Sequence, residues 1–293
     1  MIDRDDAEPG AIHVRAATDV HLHFNPVRGD GYRVFERFHR AGGTGFVSPV
    51  LTLKSYRIRG FDRRSFERAF RLHLEGVRFG RLEYPLRGYA SLGWHPVEVA
   101  RLAEREPKRV MEVAETVCDL IERFHAEYDE IVAVGEVGHP HFPVREEVKR
   151  ACHRVFLRFL ELAKDLDLPV IYHGPRASRK HYMRLKEWLE GARFDPERFV
   201  RHRASPDVGL ARGVGVWPSV PASRRGVREA AESGDEFLLE SDYLDDPARP
   251  NAALPVRAVP KAARLLRLVD EDLVGRVMVE NPERVFGVEF EPL

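Results

Sequence analysis

In the stretch Thr18-Asp19-Val20-His21-Leu22-His23, a strand projects Asp19, His21 and His23 to one face and Val20 and Leu22 to the other. Two imidazoles so placed lie about 7 Å apart, at roughly 3.3 Å of rise per residue, and can converge on one borderline-soft cation. An isolated His-x-His is a weak signal, but further donors follow it at regular points. Glu136, His173, His202 and Asp242 each stand at the end of an apolar run, and so does His95. The set His21, His23, Glu136, His173, His202 and Asp242 exceeds the three or four protein ligands of one catalytic zinc. It suits two divalent ions roughly 3.5 to 4 Å apart that share a carboxylate. On this expectation His21, His23 and Asp242 hold one ion, His173 and His202 hold the other, and Glu136 bridges them.

The chemistry expected of such a centre is hydrolysis of an ester, an amide or a phosphate ester by a metal-activated water. Asp242 would take the proton of the attacking water and pass it to the leaving group, and His95 would orient the substrate. Zinc is the first expectation for the metal, with manganese, magnesium, iron and nickel as others. A second His-x-His, His139-Pro140-His141, is broken by proline and reads as a loop at the rim that meets substrate.

These residues need strands whose ends meet. Eight apolar runs qualify: Thr18–His23, Gly45–Leu51, Gly88–Trp94, Ile131–Glu136, Leu168–His173, Phe199–His202, Gly213–Pro218 and Glu236–Asp242. Between them lie segments with apolar residues every three to four positions, such as Val110, Val113, Val117, Ile121 and Phe124, or Val148, Cys152, Val155 and Phe159. Strands alternating with helices predict an α/β fold with a parallel sheet. Donors at the ends of so many strands decide for a closed (β/α)8 TIM barrel, because only closure brings all of them to one mouth. The expectation is one domain over residues 1–293, with no repeat, linker or internal boundary.

Composition narrows the partners. Basic and acidic residues number 47 each, so the formal net charge is zero and no global field draws nucleic acid or an anionic membrane. Local arginines, among them Arg176, Arg179, Arg201 and Arg203, remain available to a barrel rim. No uninterrupted apolar run approaches the roughly 18 residues of a membrane helix, and Met1–Gly10 has no apolar signal core. The two cysteines, Cys118 and Cys152, fall in amphipathic helical stretches without Cys-x-x-Cys spacing. A reduced, cytoplasmic protein with no membrane and no obligate protein partner is expected.

The motifs in chain order resemble the TatD family of metal-dependent hydrolases, a branch of the amidohydrolase superfamily. They run from Asp19-Val20-His21-Leu22-His23 through Gly93-Trp94-His95-Pro96, Val134-Gly135-Glu136-Val137-Gly138, Leu168-Pro169-Val170-Ile171-Tyr172-His173 and Glu240-Ser241-Asp242 to Asn281-Pro282-Glu283-Arg284-Val285-Phe286-Gly287. The resemblance implies a (β/α)8 barrel, the same six metal and proton-transfer residues, His95 at the substrate, and often a nuclease activity. The neighbours of those motifs depart from the family, at His23-Phe24-Asn25, His139-Pro140-His141, Gly174-Pro175-Arg176-Ala177 and Arg203-Ala204-Ser205, which marks an outlying branch. The expected substrate is a phosphodiester, either a small molecule or a nucleic-acid end, with Arg176, Arg179 and Arg203 on phosphates. The alternatives are hydrolysis of a small amide, lactone or ester, and a non-catalytic barrel that keeps metal for stability.

Overall fold

Each apolar run that precedes a candidate ligand becomes a strand, and every strand pairs in parallel with the next. The protein is seen in a computed structural model that describes residues 16–250 and 252–293. His13 and the acidic stretch Met1–Gly10 lie outside the described residues. The strands are β1 (Thr18–Asp19), β2 (Gly45–Pro49), β3 (Arg87–Leu92), β4 (Ile131–Gly138), β5 (Val170–His173), β6 (Phe199–Arg201), β7 (Trp217–Pro221) and β8 (Leu238–Glu240). They form one eight-stranded sheet in sequence order. Closure between the first and last strands is made by backbone bonds: Val20 N donates to Leu239 O (3.1 Å), Asp242 N to His21 O (2.9 Å) and His23 N to Tyr243 O (3.0 Å). The expected (β/α)8 barrel is the observed fold.

Side chains reinforce that seam. Asp19, fully buried, accepts from Ser241 N at 3.0 Å and from His21 N at 3.1 Å, so it joins β1 to the end of β8 rather than facing a ligand. Asp245 does the same one layer further out, accepting from Asn25 N, Asp30 N and Gly31 N at 2.7, 2.8 and 2.9 Å. Buried carboxylates hold their charge only with such donors around them.

The helices are α1 (Arg33–Arg40), α2 (Arg63–Glu83), α3 (Pro96–Arg105), α4 (Val110–Glu127), α5 (Glu146–Asp165), α6 (Arg179–Ala192), α7 (Val208–Arg212), α8 (Arg224–Ser233), α9 (Ala258–Arg267), α10 (Glu271–Gly275) and α11 (Asn281–Phe286). Between β3 and β4 the chain forms two helices, α3 and α4, separated by a 3-10 turn at Pro107–Arg109. Pro107 has no N–H to continue α3 and keeps Glu106 out of the helical conformation (φ −139, ψ 61). The seventh strand also differs from the expectation. Gly213–Val216 is a turn with Gly215 left-handed, and the strand begins only at Trp217.

Apolar faces of the helices cover the sheet. In the interior Val20, just past β1, and Val47, Val132, Ile171, Val200 and Leu238, from five further strands, form a cluster that includes Phe286 and Phe290. One buried polar residue ties helix to strand. His73 of α2 meets Ser48 O through Nε2 at 2.7 Å, its Nδ1 lies 3.4 Å from the Tyr56 hydroxyl, and its ring stacks on Phe24 at 5.2 Å.

Burial holds the His73 pKa down to about 4 from an ordinary 6.5. Its folded value is depressed, so its contribution to stability is complete above pH 6.5 and is lost as pH falls toward 4, because the unfolded chain protonates first. In urea unfolding, the wild type should lose about 2 kcal/mol more than His73→Gln between pH 7 and pH 5. Equal losses in the two proteins would show that His73 titrates normally in the folded state.

Candidate metal centre at the mouth of the barrel

The six residues expected as ligands come from five strand ends and meet at one mouth. His21 and His23 follow β1, Glu136 lies within β4, His173 ends β5, His202 follows β6 and Asp242 follows β8. Glu136 is not at the end of its strand, as the sequence suggested, because β4 continues to Gly138. Its pairing with β5 shifts between Gly135 and Val137, leaving Glu136 as an extra residue in a β-bulge that aims its carboxylate inward. Gly138 has φ +134, and a Cβ there would meet His173 O at 2.2 Å, so only glycine permits the close approach of β4 and β5 beside the site.

Glu136 is the hub. Its Oε2 lies 3.5 Å from His21 Nε2, 3.8 Å from His23 Nε2 and 3.8 Å from His95 Nε2; its Oε1 lies 2.9 Å from His173 Nδ1 and 3.6 Å from His202 Nε2. Asp242 Oδ1 stands 3.9 Å from His21 Nε2 and 3.8 Å from His23 Nε2. His21 stacks on His202 with ring centroids 3.8 Å apart, and neither of its nitrogens has a hydrogen-bond partner. Orphaned buried nitrogens facing two carboxylates are what a cation would satisfy. Three groups have donor atoms close enough to share an ion, namely His21 with Glu136 and His202, His21 with His23 and Asp242, and His95 with Glu136 and His173.

The outward nitrogens decide which lone pairs face the centre. His23 Nδ1 meets Pro49 O at 3.0 Å; a carbonyl only accepts, so Nδ1 carries the proton and Nε2 offers its lone pair inward. His202 Nδ1 donates to Glu240 Oε2 at 3.0 Å, with the same result. His95 is the reverse. Its Nδ1 accepts from Val97 N at 3.1 Å at the start of α3, so its Nε2 is an N–H pointing into the site. Both nitrogens of His173 are engaged, Nδ1 by Glu136 and Nε2 by His141 Nδ1 at 2.8 Å.

Burial and charge pull in opposite directions here. Burial raises a carboxylate's pKa, yet Glu136 is held well below its usual value because His21, His95, His173 and His202 surround it. Burial would lower His21, but the charges of Glu136, Glu240 and Asp242 outweigh it and lift the ring to about 9. Burial takes His23 and His95 down to about 3 and raises Asp242 to about 7. The donor set of imidazoles and carboxylates around a cavity of about 500 Å³ fits divalent cations.

The remaining expected residues separate. His141 reaches the centre through His173. His139 does not: its ring turns away to Tyr172 OH (3.0 Å) and His153 Nδ1 (3.2 Å) and stacks on Trp188. Arg176 is exposed on a neighbouring cavity, and Arg203 pairs with Asp242 Oδ2 at 3.3 Å. Arg179 opens α6, away from both cavities. Sequence reasoning took Asp242 as the ligand and left out Glu240, two residues before it at the end of β8. Glu240 is fully buried and binds His202 Nδ1, Ser219 Oγ (2.5 Å) and Arg203 N (2.9 Å), whereas Asp242 lies past the strand end with φ +49 and faces the centre. The Glu-x-Asp spacing was the available signal, and the end of the strand at Glu240 broke its alternation.

Comparison with known proteins gives consistent matches. A family described as TatD related DNase matches residues 18–287. An uncharacterized protein of Methanocaldococcus jannaschii, MJ1127, is 29% identical over 283 residues, covering 94% of this chain and 96% of its own. The metal-dependent hydrolase YabD of Bacillus subtilis is 30% identical over 78% of this chain and 86% of its own. The 3'-5' ssDNA/RNA exonuclease TatD of Musicola paradisiaca is 27% identical over 55% of this chain and 67% of its own. Among solved structures, the TatD homologue YjjV of Escherichia coli superposes with a TM-score of 0.63 at 21% identity, over 94% of this chain and 99% of that one. A mutant organophosphorus hydrolase of Deinococcus radiodurans superposes at 0.61 with 16% identity, over 94% of each chain, which shows a shared fold.

Removing an outer partner of a ligating imidazole typically weakens metal affinity 10–100-fold. Glu240→Gln should therefore lose roughly that factor in a chelator competition assay, while retaining the fold by circular dichroism. Wild-type affinity in Glu240→Gln would show that Glu240 does not orient His202. Metal uptake should also release protons and weaken as pH falls, since His21 holds a proton in the metal-free chain; calorimetry in two buffers of different ionisation enthalpy measures that release.

Proposed function

From the premise that this chain belongs to the TatD related DNase family and is a metal-dependent hydrolase, we propose that it hydrolyses phosphodiesters at a centre of two divalent ions held by His21, His23, Glu136, His173, His202 and Asp242. The observation that carries this reading is the convergence of these residues on Glu136, with the inward nitrogens of His23 and His202 left as lone pairs by their outer hydrogen bonds. Bound there, divalent ions, zinc first among them, would supply Lewis acidity and bring the pKa of water from 15.7 to about 7.

The protein's own groups have distinct tasks. Asp242 faces the centre beside His21 and His23, where its carboxylate can accept the proton of the attacking water and return it to the leaving oxygen. His95 presents its Nε2–H to an oxygen of the substrate, held in that tautomer by Val97 N. Arg203, paired with Asp242 Oδ2, fixes the direction of that carboxylate. The zero net charge favours a second reading, a small neutral ester or lactone, for which turnover would not depend on salt.

Elemental analysis of protein reconstituted after chelation should find two divalent ions per chain and loss of metal in Glu136→Ala. Asp242→Asn should bind metal more weakly and, at saturating metal, lower kcat on single-stranded DNA or bis(p-nitrophenyl) phosphate about 10²- to 10⁴-fold. Two bound ions with turnover of lactones but of no phosphodiester would replace this reading with the second. Metal that raises the melting temperature with no turnover of any substrate class would leave a stabilised scaffold.

A further inference from the structure

Beside the metal centre, between the loops that follow β5 and β6, lies a second cavity of about 490 Å³. It shares His141, His173 and His202 with the centre, and its other charged residues are Arg176, Arg201 and Arg203. None of its lining residues is a carboxylate. Arg176 and Arg203 are exposed at its edge, and Arg203 is the one that also reaches Asp242.

Arg201 is the unusual member. Its side chain is 2% exposed, and every partner it has is a carbonyl: His202 O through one terminal nitrogen, and Gly174 O (3.3 Å) and Pro175 O (2.5 Å) through the other. Its Nε has no partner, and its guanidinium lies 5.6 Å from the centre of the Tyr172 ring. Among the described residues Arg201 has no ion pair. The acid that acts on it, Glu240, is already committed to His202, Ser219 and Arg203 N. Carbonyl dipoles satisfy hydrogen bonds, but they leave a full positive charge in a buried place, where it is costly unless an anion comes to it.

We propose that this cavity is an anion subsite that receives a second phosphate of the substrate, next to the phosphodiester presented to the metal centre. The inference rests on the hydrolase reading above and adds the substrate class: a strand or nucleotide with at least two phosphates. Guanidinium groups from two neighbouring loops match the planar, multidentate recognition of phosphate oxygens. The subsite also accounts for local basic character in a chain with no net charge, since the field that matters is confined to one cavity.

Two arms test this. In the first, orthophosphate is titrated calorimetrically into metal-free full-length protein. The wild type should bind it, less tightly as salt rises, and Arg176→Ala and Arg203→Ala should each bind about tenfold more weakly. Arg201→Met should abolish binding; the two exposed variants keep the test sound if that one does not fold. No binding to the wild type, or wild-type affinity in both exposed variants, overturns the subsite. In the second arm, metal-replete protein is given the dinucleotide TpT, its 5'-phosphorylated form pTpT, and the trinucleotide TpTpT. A kcat/KM about tenfold above TpT for pTpT assigns the subsite to a terminal phosphate, and the same gain for TpTpT alone assigns it to a neighbouring diester; in either case the gain shrinks in Arg176→Ala. Equal rates for all three overturn the proposal but leave the hydrolase reading intact. Orthophosphate binding without cleavage of any of them supports the subsite and overturns the phosphodiesterase reading.

Discussion

A carboxylate can stay charged in a protein interior only when positive or hydrogen-bonding groups surround it, and the mouth of this barrel is arranged around that requirement at Glu136. Five imidazoles from four strand ends stand within 3.8 Å of its two oxygens. The β-bulge that turns Glu136 inward, the glycine at 138 and the seam between β1 and β8 all serve to bring those groups to one point. Without closure of the barrel the carboxylate would be buried among apolar strands with nothing to hold its charge.

The imidazoles are in turn fixed from outside. Pro49 O, Glu240, Val97 N and His141 each take one nitrogen of a site histidine and so select what the other presents. Two rings are turned into lone-pair donors and one, His95, into an N–H donor. What each ring presents inward is thus set by whether its outer partner is an acceptor or a backbone N–H. The same local geometry separates Glu240, bonded to His202, Ser219 and Arg203 N, from Asp242, which faces His21 and His23.

Charge is managed in the same local fashion. The chain has no net charge, and many of its acids and bases neutralise one another on the helical surface, as in the pairs of Arg78 with Glu130 and Arg158 with Glu115. The guanidinium of Arg201 stands apart from this pattern because it is surrounded by carbonyls. A neutral protein can still present a strongly positive pocket, provided that the cation is buried and its neighbours are dipoles.

Much of this was readable along the chain. The type of each element follows from period-2 and period-3.6 patterns, and the barrel follows from polar residues standing at the ends of apolar runs, because covalent order and side-chain alternation are local properties. His21, His23, Glu136, His173, His202 and Asp242 could be grouped on that ground alone. What only the tertiary structure decided is what depends on a partner far away in sequence: that Asp19 closes the seam with Ser241, that His139 turns to His153 while His141 turns to His173, that Glu240 and Asp242 part company, and that Arg201 is buried without an acid. Two residues of one spacing look alike in a sequence. They become different when the strand ends, a bulge intervenes or a neighbouring strand supplies a donor, and those events are set by packing between segments that the chain keeps tens to hundreds of residues apart.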